Sequence, residues 1–230
     1  MNIALLSTLD HPMLGYFIKE ISRKHKINYL ILDSYKRKKK DKKIWNERTC
    51  GKLKQGKVNL KKIKIPVIKF KSHLSTRFMT FISKKKINLL INCGTPRILS
   101  KKILKAPTIG VLNCHPGILP KYRGCTCTEW ALYHNDKIGN TCHLMTSKID
   151  EGPIIYKKIL PTKHKKSYQD IRISVYLDAP KCISQSISKI KLRKYNRKYY
   201  PKNGVYWAPI NKLKMKRIFQ KYGNSFAKQN

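Results

Sequence analysis

A chain of 230 residues, 41% hydrophobic and 10% aromatic, is long enough for one α/β domain with a sizeable core, and this composition excludes wholesale disorder. Lys and Arg number 52 against 11 Asp and Glu, a formal net charge of +41 that would attract RNA, phosphorylated small molecules or anionic membrane surfaces. No apolar run approaches the ~20 residues needed to span a bilayer, and residues 1–17 lack a basic leading segment, so a soluble, cytoplasmic protein is expected.

Residues 2–7 (NIALLS) form a short apolar run suited to a buried first strand. Leu14, Phe17, Ile18 and Ile21 then recur at helical spacing and predict an amphipathic helix. Residues 27–32 (INYLIL) read as a second strand, and the charge run at 35–43 (YKRKKKDKK) as a solvated loop. Residues 67–70 predict a third strand and 75–85 a helix with Phe78, Phe81 and Ile82 inward. Buried strands are expected at 87–92 and 109–113, with a short helix over 100–104 between them. A helix over 128–134, strands over 140–145 and 153–160, and a long helix from about 166, broken around Pro180, complete the core. This alternation predicts an α/β fold with a doubly wound, mostly parallel sheet. Beyond Lys191 the chain turns basic and aromatic (YNRKYYPKNGVYWAP, residues 195–209) and is expected to wrap the domain.

The basic residues occur almost everywhere rather than as one stripe with interleaved aromatics. Lysine spread over every solvated face and nucleic-acid binding both remain readings of that charge. The seven cysteines lie mostly in apolar runs, where thiols behave as small hydrophobes. Cys125 and Cys127 lack a second pair at zinc-site spacing, so reduced thiols and no metal are expected.

In open α/β sheets ligands bind beyond the carboxyl ends of the strands. The strand ending at Asn113 runs directly into a loop rich in Pro and Gly (CHPGILPKYRG, residues 114–124), whose backbone must be specifically shaped. Asn113 and His115 lie two residues apart and share a face of that strand end. An amide donor beside an imidazole suits oxyanion stabilisation and proton movement. Asp150 and Glu151 stand side by side at the mouth of a later strand, in a chain short of carboxylates. A carboxylate near His115 would hold its tautomer and favour its protonated form.

The run at 113–124 (NCHPGILPKYRG) resembles the signature of the 10-formyltetrahydrofolate-dependent formyltransferases. Residues 143–155 (HLMTSKIDEGPII) are similar to that family's second signature, and 94–100 (GTPRILS) to the segment that lines its folate pocket. The resemblance implies a Rossmann-like catalytic domain over residues 1–191, with 192–230 as a basic, aromatic tail. It implies that Asn113, His115 and Asp150 are catalytic, with Asn113 and protonated His115 stabilising the oxyanion and Asp150 orienting His115 and relaying the amine proton. By the same resemblance 10-formyltetrahydrofolate is the formyl donor, held by Arg97, Ile98, Leu99, Thr146 and Ile149. A cis Leu119–Pro120 peptide is a further implication.

Family acceptors include glycinamide ribonucleotide, initiator methionyl-tRNA and nucleotide-linked amino sugars. Residues 7–15 (STLDHPMLG) hold no Gly-rich phosphate nest, which counts against the first. Some 40 residues follow the last core helix, too few for the second, β-rich domain of the tRNA enzymes. Residues 122–131 (YRGCTCTEWA) look closest to small formyltransferases acting on amino sugars, with Tyr122, Arg123, Glu129 and Trp130 toward the acceptor. The expected partner is therefore a sugar nucleotide, with nucleic acid not favoured. A catalytically silent RNA-binding module, and hydrolysis of the donor by water, remain the other readings. The oligomeric state is open, a homodimer being one arrangement.

Overall fold

The computed structural model describes residues 1–196 and 203–224. Strand β1 (Ile3–Thr8) is buried at all six positions, because a parallel strand covered on both faces exposes neither side. Ile3 and Leu5 pack with helix α1 (Leu14–Ser22), while Ala4 and Leu6 face the opposite layer. Strands β2 (Tyr29–Asp33), β3 (Val67–Phe70), β4 (Leu89–Asn92) and β5 (Gly110–His115) are all parallel to it. A short β6 (Tyr122–Gly124) stands outside this sheet. Strands β7 (Ile138–Leu144) and β8 (Ile154–Leu160) are antiparallel and complete the order β3-β2-β1-β4-β5-β7-β8 among the described residues. The fold is α/β with a mostly parallel, Rossmann-like sheet. Its strand order reverses between β1 and β4, so a crevice is expected at their carboxyl ends.

The charge run differs from its expected loop. Residues Lys39–Thr49 form helix α2, whose start is fixed by Asp41 accepting the Lys38 N–H at 2.9 Å. Trp45 and Ile44, just beyond the run, supply the apolar side, with the Trp45 ring 5.1 Å from Tyr176. A few apolar anchors outweigh a run of lysines whose charged heads stay in water.

Helix α3 (Thr76–Lys84) and the short α4 (Lys101–Lys105) lie on one face, each capped by a serine, Ser75 and Ser100. Helix α5 (Cys127–Tyr133) follows β6. Helix α6 (Tyr168–Lys191) runs unbroken for 24 residues with Pro180 inside it, where a break was expected. Buried Val175, Ile183 and Ile187 hold both halves in the core, and Asn140 Nδ2 donates to the Val175 carbonyl at 3.0 Å in the adjoining turn. Tertiary packing thus offsets the lost backbone donor of proline.

In the tail, β9 (Val205–Trp207) pairs in parallel with β6, and α7 (Lys212–Tyr222) packs against α5. Trp207 lies 4.6 Å from Trp130, whose Nε1 donates to the Ala208 carbonyl. Residues 197–202 and 225–230 of that tail lie outside the described residues. No helix among the described residues is long and apolar enough to cross a membrane.

Candidate active site

The carboxyl end of β5 lies beside β7, and the antiparallel register sets Asn113 directly opposite His143. Asn113 Nδ2 donates to His143 Nε2 at 3.2 Å. Its Oδ1 accepts from Asn92 Nδ2 at 3.0 Å, and Asn92 Oδ1 in turn accepts the backbone N–H groups of Gly94 and Thr95. This chain of donors fixes which way the Asn113 amide points, leaving its second N–H for an incoming oxygen. Neither Asn92 nor His143 was singled out from sequence, because Asn92 read as a strand end and His143 as one position of a buried strand.

Asp150 brings the two histidines together. Its Oδ2 lies 3.3 Å from His115 Nδ1 and accepts the Gly124 N–H at 2.9 Å, while Oδ1 lies 3.4 Å from His143 Nε2. Burial pushes the Asp150 carboxyl up, but the His143 contact, the neighbouring His115 and the Gly124 N–H together hold it below its ordinary value. His115 Nε2 donates to the Tyr122 carbonyl at 2.7 Å, so Nδ1 is the nitrogen left to exchange a proton.

The expected preference for protonated His115 is reversed. Asp150 does raise its pKa, but burial acts more strongly and His143 opposes protonation too, so the imidazole lies below 6.5. Neutral His115 beside ionised Asp150 is a proton acceptor, and its Nε2 is committed to the backbone rather than to an oxyanion.

The loop carrying Asp150 is tightly closed. Asp150 adopts a left-handed φ of 54°, which Asp tolerates better than most residues. A Cβ on Gly152 would stand 1.6 Å from the Leu144 carbonyl oxygen. Replacing Gly152 by Ala is therefore expected to cost about 1–3 kcal/mol and to displace Asp150, lowering turnover with it. Urea melts and initial rates that both match wild type would contradict this account.

A cavity of about 560 Å³ opens at the β1/β4 switch, lined by Thr8, His11, Asn92, Gly94 and Asn113. Its far wall is Trp45 and Arg48 of α2 with Tyr176 of α6. Gly94 has φ 97°, and a Cβ there would meet His11 Nε2 at 2.2 Å. His11 is pushed down to about 4 by burial and by Arg37, so it faces the cavity neutral.

The expected donor residues divide. Ile98 is 88% and Ile149 53% exposed, two apolar side chains presented on separate loops. Thr146 lines a cavity of about 460 Å³ with Met145, Leu144 and Leu104. Leu99 is instead packed in the core, and Arg97 is clamped by both oxygens of buried Asp33 at 3.0 Å each. Asp33 also accepts the His73 N–H, so this cluster braces the 94–99 loop.

The four residues expected at the acceptor lie elsewhere than in the first cavity. Tyr122 is buried, its hydroxyl donating to Asp136 at 3.0 Å, and Trp130 stacks on the tail. Arg123 pairs with Glu151 and donates to the Gly204 carbonyl at 2.8 Å. Glu129 is buried among Arg48, Arg172 and Tyr168, at the floor of a second cavity. The signal missed in Glu129 is that a carboxylate in an apolar helix turn needs buried cations, and these arrive from distant helices.

None of the seven cysteines is joined in a disulfide. Among the described residues no group of three or more His, Cys, Asp or Glu side chains is placed to hold a metal ion.

Residues 32–187 match the family described as formyl transferase. A bifunctional polymyxin resistance protein ArnA from Wigglesworthia glossinidia brevipalpis is 32% identical over 157 residues, 63% of this chain and 24% of that protein. A methionyl-tRNA formyltransferase from the same organism is 31% identical over 137 residues, 59% of this chain and 43% of that protein. The chain thus spans less than half the length of these curated relatives. Among solved structures, a sugar N-formyltransferase from Shewanella sp FDAARGOS_354 has a TM-score of 0.62 at 15% identity, covering 91% of this chain and 77% of that one. Glycinamide ribonucleotide transformylase 1 from Symbiobacterium toebii has a TM-score of 0.63 at 17% identity, covering 88% and 94%. At such identities the likeness is one of fold.

Proposed function

Because the chain belongs to the formyl transferase family, we propose that it moves a formyl group from 10-formyltetrahydrofolate to a primary amine, and that the amine belongs to a nucleotide-linked amino sugar. The observation that carries this reading is the chain Asn92–Asn113–His143–Asp150–His115, which meets the first cavity at Asn92 and Asn113.

Ile98, Ile149 and Thr146 would hold the donor, which supplies an activated formyl group. Asn113 Nδ2 donates to the formyl oxygen as charge develops there, a contribution of roughly 3–4 kcal/mol for a preorganised donor. The acceptor amine approaches from the first cavity. Its proton passes to Asp150 and the neutral Nδ1 of His115, which share it across 3.3 Å, and goes on to the folate nitrogen as the bond from that nitrogen to the formyl carbon breaks and tetrahydrofolate leaves. Asn92 and His143 orient these groups rather than react.

The proton acceptor must be in its base form, and His115 and Asp150 both lie below their ordinary values. At saturating substrates, the acid limb of turnover should therefore lie below the 6.5 of an ordinary imidazole. An acid limb at or above 6.5 in the profile of kcat would count against this assignment.

For the acceptor, the loop after β1 offers His11 and Pro12 in place of a Gly-rich nest, and the first cavity shares Ile44 and Arg48 with a second one. The likeness to the Shewanella sugar N-formyltransferase supports the amine of a sugar. The net charge of +41 and the methionyl-tRNA formyltransferases among the relatives favour a second reading, methionyl-tRNA.

The test is release of tetrahydrofolate, followed by absorbance, with nucleotide-linked amino sugars, glycinamide ribonucleotide, methionyl-tRNA and no acceptor. Turnover confined to a sugar nucleotide supports the proposal. Turnover with another amine alone reassigns the acceptor, and turnover without amine makes the protein a donor hydrolase. Neither turnover nor folate binding would leave a basic RNA-binding module as the better account.

A further inference from the structure

A second cavity of about 560 Å³ lies between α2, the start of α5, Tyr168 and the tail helix α7. Ile44 and Arg48 line both cavities and form the junction between them. Beyond that junction Ile210, Met215 and Phe219 form an apolar wall, and Lys212 and Lys216 outnumber the one further carboxylate, Glu47.

The junction carries more positive charge than its own carboxylate can balance. Arg48 Nε and Arg172 Nε lie 3.4 and 3.5 Å from the same oxygen of Glu129. Arg172 alone would neutralise Glu129, since it is fully enclosed and also donates to Thr128 at 2.6 Å and Tyr176 at 3.1 Å. Arg48 spends two contacts, on Glu129 and on the Tyr176 hydroxyl at 3.4 Å, out of the five N–H donors of a guanidinium. The Arg48 side chain is 25% exposed, so its spare donors are open to an anion entering either cavity. Tyr176 registers the excess: burial pushes its phenol up, yet Arg172 and Arg48 together bring it below the ordinary value.

From Asn113 outward the order is therefore amine site, cation, apolar chamber. We propose that Arg48 binds the diphosphate of the acceptor at this junction, and that the attached nucleoside lodges in the second cavity against Phe219 and Met215. The proposal rests on the reading of the acceptor as a nucleotide-linked amino sugar. A chamber of this size takes one nucleoside rather than a polynucleotide path. It also gives the tail a role, because Ile210, Met215 and Phe219 all come from it.

The experiment is calorimetric binding of uridine diphosphate, thymidine diphosphate, uridine, inorganic pyrophosphate and a short RNA to the full chain. Wild type and Asp150→Asn should both bind a nucleoside diphosphate, since the site stands apart from the chemistry. Arg48→Gln should weaken that binding by about 10–100-fold, the range expected for a lost charged hydrogen bond, and Arg48→Lys should recover part of it. Phe219→Ala should weaken the nucleoside diphosphate but not pyrophosphate, and it keeps the test alive if Arg48→Gln fails to fold. Unchanged affinity in a folded Arg48→Gln or in Phe219→Ala, or binding of RNA alone, overturns the proposal. Formyl transfer to another amine with no nucleoside diphosphate bound also overturns it while leaving formyl transfer intact. A nucleoside diphosphate bound without transfer to any sugar nucleotide supports the anion site and rejects the acceptor reading instead.

Discussion

Asp150→Asn is expected to lower kcat by about 10²–10⁴-fold with little change in the melting temperature. The substitution preserves size and leaves an oxygen for the Gly124 N–H, so the loop keeps its anchor. It removes the charge that faces His115 Nδ1 and His143 Nε2 at 3.3 and 3.4 Å. With its oxygen kept on the Gly124 N–H, the amide presents N–H to His143 Nε2 in place of Oδ1 and is too weak a base to share the proton released by the amine. The Michaelis constants should move far less than kcat, because Asp150 lines neither described cavity of about 560 Å³. Steady-state rates beside a thermal melt decide the matter. A variant within a few-fold of wild type would shift the burden of catalysis to Asn113 alone.

The place of Asp150 beside His115 was legible in sequence from two adjacent acids in a basic chain, at a strand mouth. Asn113 and His115 were legible because a strand end and a Pro- and Gly-rich loop fix their direction before any tertiary contact forms. The parallel sheet was legible too, since buried parallel strands read as unbroken apolar runs. What escaped depended on partners distant in sequence. His143 faces Asn113 only because β7 runs antiparallel to β5. Arg97 looked free for the donor, yet Asp33, 64 residues away, takes both sides of its guanidinium. The proton state of His115 needed both a neighbour and a depth of burial, and only the neighbour could be read. Helix α2 and the unbroken α6 are held by packing against other elements, a term local propensity does not contain.

Glu129→Ala is expected to destabilise the fold by about 3–5 kcal/mol, the cost of stranding buried charge. That is a large part of the ~5–15 kcal/mol by which domains are stable. The carboxylate is 1% exposed and meets Arg48, Arg172 and the Tyr168 hydroxyl, so its removal leaves two guanidiniums and a phenol without their acceptor. Burial alone would raise its pKa, but Arg172 and Arg48 hold it down at about 2, against 4.5 for an ordinary glutamate. A depressed folded-state pKa contributes stability that is present in full above the unfolded value and is lost as pH falls through the folded one. Wild type should thus lose this contribution between about pH 4.5 and 2, whereas the Ala variant should lack that acid-sensitive component. Urea midpoints at pH 7 and pH 3 measure both effects, and equal midpoints for the two proteins at pH 7 would overturn the ionic account. Adding Arg172→Met to Glu129→Ala should recover part of the loss, because removing both charges costs less than leaving one buried and unpaired.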